Sequence, residues 1–326
     1  MINLAKEMNG VRTAVIAGHI RPDGDAIGSC LGLYFYIREN YPEVSCKVYL
    51  EETPNAYRNV CGVDEIRHEI DETEEPDVFF CLDCADEKRL GAAGKLLGKA
   101  KHSVCIDHHI SNGGFADVNY IVPQASSTSE LIFTVLDEEK IPFHTAEALY
   151  MGIVHDTGVF RHSCTSPETM EIAAKLMRKG INCSQIINTT YYEKTYHQNQ
   201  ILGRALLESI LLLDKKIIFS AIRKKDMDFY CVEPSDLDGI VQILMSTAGT
   251  EAAIFLYEIK SHEYKVSMRS KEIIDVSEIA SYFGGGGHIR AAGCNMQGSI
   301  YDVVNNITLH MEKQLRKKQN EEKQQV

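Results

Sequence analysis

The 326 residues are 44% hydrophobic, enough to bury the cores of two ordinary domains. A formal charge of −12 excludes the many Lys and Arg contacts that hold long nucleic acid irrespective of sequence, but leaves room for a small anionic substrate held by a few local cations. No apolar run reaches the roughly 18 residues of a membrane span, Met1 to Gly10 lacks the pattern of a signal peptide, and ten scattered cysteines fit reduced thiols and a cytoplasmic location.

In chain order, Thr13-Ala14-Val15-Ile16-Ala17 predicts a strand that breaks at Gly18-His19 and a Pro/Asp/Gly turn. From Ala26 to about Asn40, Ile27, Leu31, Tyr34 and Phe35 share one helix face. Further strands are expected over 46–50, 77–83 and 103–107, with a glycine-bearing helix over 88–100 between the last two. This alternation argues for a parallel α/β sheet with helices on both faces. Helices follow over 128–139, 145–154 and 167–179. Ser166 suits the cap of the last, Pro167 its first turn and Gly180 its end. The stretch 184–213 reads as a long connecting helix or helix pair. A smaller α/β unit comes next, with strands over 216–222, 252–260 and 263–269 and helices near 237–247 and 276–283. The expected domains are therefore 1–183, a helical linker over 184–213, and 214–326, with the polar residues from about Arg316 fraying.

Five segments put metal-ligand or anion-binding groups at the ends of these elements. In Gly18-His19-Ile20-Arg21-Pro22-Asp23-Gly24-Asp25 a strand ends at His19 and a turn presents two aspartates. The plain alternative is a turn with a helix cap. In Cys81-Leu82-Asp83-Cys84 an apolar strand runs into Asp83, where ligands bind in open parallel sheets. Cys81 and Cys84 read as buried thiols rather than a zinc or redox pair. Asp107-His108-His109 closes a third strand, where each group carries a desolvation cost unless paired or metal-bound. His155-Asp156-Thr157-Gly158 follows a helix, with Arg161 and His162 close behind. Ser126-Ser127-Thr128-Ser129-Glu130 caps a helix and could also set its N-terminus against an anion. His19, Asp23, Asp25, Asp83, His108 and Asp156 offer only oxygen and nitrogen donors, which suits Mn²⁺ or Mg²⁺, and the imidazoles favour Mn²⁺.

These motifs, in this order, resemble those of the DHH phosphoesterase superfamily. Gly284-Gly285-Gly286-Gly287-His288 followed by Ala291-Ala292-Gly293 resembles the signature of its DHH-associated C-terminal domain. The resemblance spans about residues 10 to 310, and within the superfamily it is most similar to the nanoRNase/3′,5′-bisphosphate nucleotidase type. It implies a parallel-sheet DHH domain joined by a helical linker to a smaller α/β DHH-associated domain, with the active-site cleft between them. It implies two divalent ions, one on His19, Asp23 and Asp83, the other on Asp25, Asp83, His108 and Asp156. It further implies that His109 binds the scissile phosphate or assists proton transfer and that Asp107 orients the histidine pair. Gly285, Gly286, Gly287, His288 and Arg269 would hold the far phosphate, with Ser127 as a further substrate contact.

The expected reaction is in-line attack by a metal-activated hydroxide, with His109 and Arg161 stabilising the developing charge. Substrates would be oligonucleotides of two to five residues or adenosine 3′,5′-bisphosphate. Linear pApA, a cyclic dinucleotide such as cyclic di-AMP, pyrophosphate, or a role as an inactive nucleotide sensor are the alternatives. No long nucleic acid or membrane partner is expected, and a homodimer is compatible with the sequence.

Overall fold

A computed structural model describes residues 2–324. The chain divides into two compact units, Met1–Glu193 and Lys194–Val326.

In the first unit a short helix α1 (Leu4–Glu7) precedes β1 (Thr13–Ala17), α2 (Gly24–Asn40), β2 (Ser45–Tyr49) and β3 (Val78–Leu82). A single helical turn, α3 (Gly94–Leu97), leads to β4 (Ser103–Asp107) and β5 (Val118–Ile121). Helices α4 (Thr128–Val135), α5 (Phe143–Asp156), α6 (Pro167–Arg178) and α7 (Cys183–Ile187) complete it. All strands run parallel in the order β2-β1-β3-β4-β5. Every residue of β3 and β4 is buried, because apolar layers cover both faces, as parallel sheets require. Ile16, Phe80, Leu82, Val104 and Ile106 join the core under α2, α4 and α5. Val15, Ala17, Phe79, Cys81 and Cys105 face the opposite layer with Leu90 and Leu96. The strand order reverses direction between β1 and β3, so their carboxyl ends border the crevice where ligands settle in open α/β sheets.

Helix α2 is buried from Gly24 to Ile37, which leaves no polar face. Its glycines allow a close crossing with α5: a Cβ at Gly28 would lie 2.6 Å from the Ala148 carbonyl oxygen. The helix expected over 88–100 is broken instead, because Gly91 adopts φ 57°, a conformation outside any right-handed helix.

The segment 184–213 forms a helix pair and then a strand rather than one connecting helix. From α7 the chain enters a π-type turn, Asn188–Tyr192, and Glu193 is extended. Helix α8 (Tyr196–Leu207) starts afresh under a Thr195 cap. Ile210–Leu212 then forms strand β6, antiparallel to β7 (Ile217–Ile222). Leu213, Asp214 and Lys215 turn the chain with φ of 49°, 52° and 66°.

The second unit continues with α9 (Lys224–Tyr230), α10 (Ile240–Met245), β8 (Ala252–Lys260), β9 (Glu263–Ser270), α11 (Val276–Tyr282), β10 (Gly286–His288), β11 (Ala291–Gln297) and α12 (Ile300–Gln324). Its mixed sheet runs β10-β11-β9-β8-β7-β6. One face packs on Ile201, Met227 and Leu244 of the helices α8 to α10. The other packs on Ile279, Val303, Ile307 and Met311 of α11 and α12. Helix α12 continues to Gln324, past Arg316 where fraying was expected. Arg316 pairs with Glu312 one turn earlier, the kind of contact that supports an exposed helix. The expectation for Gln325 and Val326 lies outside the described residues. No helix among the described residues is long and apolar enough to cross a membrane.

Candidate metal centre

The carboxyl ends of β1, β3 and β4 and the last turn of α5 converge on three overlapping sets of donor atoms. These are His19, Asp23 and Asp83; Asp25, His108 and Asp156; and Asp83, His108 and His109. Within each set the atoms lie within 4.8 Å of one another.

Each side chain is aimed by a specific contact. His19 Nδ1–H donates to the Ile20 carbonyl at 2.8 Å. That leaves Nε2 facing Asp23 Oδ2 at 3.6 Å and Asp83 Oδ2 at 3.5 Å. Asp23 caps α2, its Oδ1 accepting from the N–H of Asp25 and Ala26. Capping and ligation are thus both available to it, one on each oxygen. Asp83 follows directly on β3 with φ 54°, a strained conformation that Asp tolerates better than most residues. Its Oδ1 lies 3.6 Å from His108 Nε2. His108 Nε2 also approaches Asp156 Oδ2 at 3.0 Å.

Helix α4 holds Asp25 by its first turn. The N–H of Thr128 donates to Asp25 Oδ2 at 2.6 Å and that of Ser129 to Oδ1 at 2.9 Å, while Thr128 Oγ1 donates to Asp83 Oδ1 at 3.1 Å. The anion at this helix N-terminus is therefore the protein's own carboxylate. The Ser127 side chain is fully buried and caps the helix by accepting from the Glu130 N–H. Gly152 makes the approach possible, because a Cβ there would overlap Ser129 Oγ and lie 2.7 Å from Asp25 Oδ1.

The electrostatics favour cations. Burial opposes charge on His19, but the facing carboxylates of Asp23 and Asp83 outweigh it and push it up to about 10. His108 is likewise pushed up to about 10 against burial by Asp156, Asp25 and Asp83. Burial, with repulsion from Asp83 and Asp156, holds Asp25 well above the usual carboxylate range. Burial also raises Asp156, partly offset by its bond to His108. Four carboxylates (Asp23, Asp25, Asp83 and Asp156) thus crowd together with three imidazoles (His19, His108 and His109). Separations of 3.5–3.6 Å around His19 and Asp83 are too long for hydrogen bonds. Oxygen and nitrogen donors with this excess of negative charge fit divalent cations.

His109 belongs to one donor set, yet its Nδ1 is already engaged: it donates to Asp107 Oδ1 at 2.7 Å. Asp107 is fully buried, and its carboxylate also accepts from the His108 N–H and from Asn112 Nδ2. Arg161 is exposed, beyond a turn in which Gly158, Val159 and Phe160 all have φ near 60°.

Arg269, Gly285, Gly286, Gly287 and His288 lie in the second unit. Arg269 is half-buried on β9, and burial lowers its guanidinium below the usual value. His288 is exposed and pairs with Ala291 in the β10–β11 ladder. The glycines first serve the sheet: a side chain at Gly285 would overlap the Gly293 carbonyl, and one at Gly287 would lie 2.5 Å from the Ala291 carbonyl oxygen. Gly286 alone of the three has open space beside it.

Residues that sequence reasoning passed over include Tyr57, Thr190 and Asn112. Thr190 Oγ1 donates to the Ile186 carbonyl, so it accepts from His155 Nε2–H at 3.0 Å. His155 Nδ1 is left to accept from the Tyr57 hydroxyl at 3.2 Å. The ring abuts Gly24, where no Cβ would fit. Burial pushes His155 down to about 4 from an ordinary 6.5. The neutral ring stabilises the fold fully above pH 6.5. As pH falls toward 4 the unfolded chain gains a proton that the folded chain refuses, so stability falls. Thermal melts of the cation-free protein are expected to show this slope, and His155→Gln to flatten it.

Two family models match the chain: the DHH family N-terminal domain over residues 13–153 and the DHHA1 domain over 214–317. The chain is 28% identical to the bifunctional oligoribonuclease and PAP phosphatase NrnA of Bacillus subtilis (strain 168), over 92% of this chain and 94% of that one. It is 26% identical to the protein of the same name from Thermus thermophilus, over 88% and 85%. Among solved structures, an exopolyphosphatase-related protein from Bacteroides fragilis superposes with a TM-score of 0.88 at 27% identity, covering 95% of this chain and 94% of that chain.

Proposed function

Because the chain belongs to the DHH family and is a hydrolytic phosphoesterase with a DHHA1 domain, we propose that it hydrolyses very short oligonucleotides to mononucleotides and adenosine 3′,5′-bisphosphate to AMP. The observation that carries this reading is Asp83, whose two oxygens face two different donor sets at the end of a sheet strand. The names of the relatives, oligoribonuclease and PAP phosphatase, support the substrate class.

His19, Asp23 and Asp83 would hold one divalent cation and Asp25, Asp83, His108 and Asp156 a second, with Mn²⁺ preferred to Mg²⁺ because of the imidazoles. Such a pair supplies an acidified water and neutralises charge on phosphoryl oxygens. The chain's own groups do the rest. His109, its Nδ1–H given to the Asp107 carboxylate that favours the charged ring, would donate as an imidazolium from Nε2 to the scissile phosphate or the leaving oxygen. Arg161 adds positive charge as negative charge develops. In the second unit Arg269, His288 and the backbone of Gly285, Gly286 and Gly287 take the substrate's far phosphate.

The test is a hydrolysis panel with Mn²⁺ and Mg²⁺ in separate arms. It compares a 5′-phosphorylated dinucleotide, a long oligonucleotide, adenosine 3′,5′-bisphosphate, linear pApA, a cyclic dinucleotide and pyrophosphate. Fastest turnover of the dinucleotide and the bisphosphate is expected. Preferential turnover of pyrophosphate or of the long oligonucleotide overturns the reading. Arg269→Ala is expected to raise KM for the dinucleotide about 10- to 100-fold with kcat nearly kept, the mark of a group that binds ground and transition states alike.

A further inference from the structure

Asn112 lies three residues beyond the Asp-His-His segment, and its side chain is buried. Nδ2 donates to Asp107 Oδ2 at 2.7 Å and to the Cys84 carbonyl at 3.0 Å, with Cys105 Sγ at 3.5 Å. Oδ1 accepts from the Gly114 N–H at 2.8 Å. One amide thus joins two strand ends. Just past β3 it holds the Cys84 carbonyl, next to Asp83, whose backbone is left-handed with φ 54°. On β4 it takes the Asp107 oxygen that His109 does not use.

The two contacts act on different groups. A carboxylate held at a single oxygen can swing about its Cβ–Cγ bond. With Asn112 on Oδ2 and the His108 N–H with His109 Nδ1 on Oδ1, Asp107 is fixed in one plane. The imidazole that donates to it is then fixed as well. The bond to Cys84 holds the strained turn that carries Asp83.

We propose that Asn112 is a positioning residue that sets the orientation of His109 through Asp107 and steadies the turn of Asp83. The inference rests on the phosphoesterase reading for its kinetic consequences, but not for its structural core.

The test uses Asn112→Ser, which removes the amide, and Asn112→Asp, which keeps the shape and the acceptor but loses the Nδ2 donor. Thermal melts establish that each variant is folded. The first readout is proton NMR of the cation-free full chain. The His109 imidazole N–H held by Asp107 is expected as a downfield resonance in the wild type, assigned by its loss in His109→Gln. In both Asn112 variants it is expected to vanish by faster exchange with water. The second readout is Mn²⁺-dependent hydrolysis of a 5′-phosphorylated dinucleotide. There kcat is expected to fall about 10- to 100-fold with KM nearly unchanged. The loss should be far less than multiplicative with that of Asp107→Asn, because both substitutions release the same imidazole.

Persistence of the wild-type resonance in either folded variant overturns the proposal, as do losses that multiply fully with Asp107→Asn. If the wild type does not hydrolyse the dinucleotide, the functional reading fails, and the resonance alone decides the positioning role.

Discussion

Asp83→Ala is expected to abolish binding of divalent cations and to lower hydrolysis of a 5′-phosphorylated dinucleotide by about 10³-fold or more. Asp83 is the one carboxylate whose oxygens address both proposed cation positions, Oδ2 toward His19 and Oδ1 toward His108. Removing Asp23 or Asp156 thins one donor set, whereas removing Asp83 depletes two. Calorimetric titration with Mn²⁺ reads binding without relying on turnover. His108→Ala, which removes a donor from the second proposed cation position, is expected to lower cation affinity and hydrolysis in the same direction but less severely. Normal Mn²⁺-dependent hydrolysis by either variant would falsify the ligand assignment.

Gly152→Ala is expected to damage the same centre from a distance in sequence. A methyl there cannot coexist with Ser129 Oγ and presses on Asp25 Oδ1 from 2.7 Å. Either α5 withdraws or the first turn of α4 moves off Asp25, and the N–H donors of Thr128 and Ser129 go with it. Overpacking of this kind costs about 1–3 kcal/mol of stability. Cation affinity should fall with it, read by melting in the presence and absence of Mn²⁺. Ser129→Gly removes the obstructing Cβ and Oγ, so Gly152→Ala combined with Ser129→Gly should recover most of the stability. Equal stability of the single and double variants would show that the steric account is wrong.

The proposed ligands were legible because parallel strands buried on both faces leave a plain mark. Ala14–Ala17, Phe79–Leu82 and Val104–Ile106 are continuous apolar runs, and each ends in groups that water would otherwise claim. Other features left no such mark. β5 is short and only partly buried. β10 and β11 contain glycines that weaken any strand pattern and gain their order from pairing with each other and with β9. Thr128 and Ser129 act on Asp25 through backbone N–H groups, which every residue but proline possesses. The segment around Ser127 promised an anion site, and the anion proved to be a carboxylate about a hundred residues earlier in the chain. Gly152, Asn112 and Thr190 matter for distances between elements far apart in sequence, which periodicity does not record.

The grip of α4 on Asp25 also bears on how quickly the protein could be charged with metal. Both carboxylate oxygens are anchored by amides of the first turn of α4, and His19 and His109 have their Nδ1 atoms tied down as well. If the proposed cations enter a site held in this way, the pace of loading would follow how readily the incoming ion sheds its hydration water. Mg²⁺ dehydrates reluctantly. With donors held in this way, the proposed preference for Mn²⁺ over Mg²⁺ would show itself as faster loading when both ions are offered together.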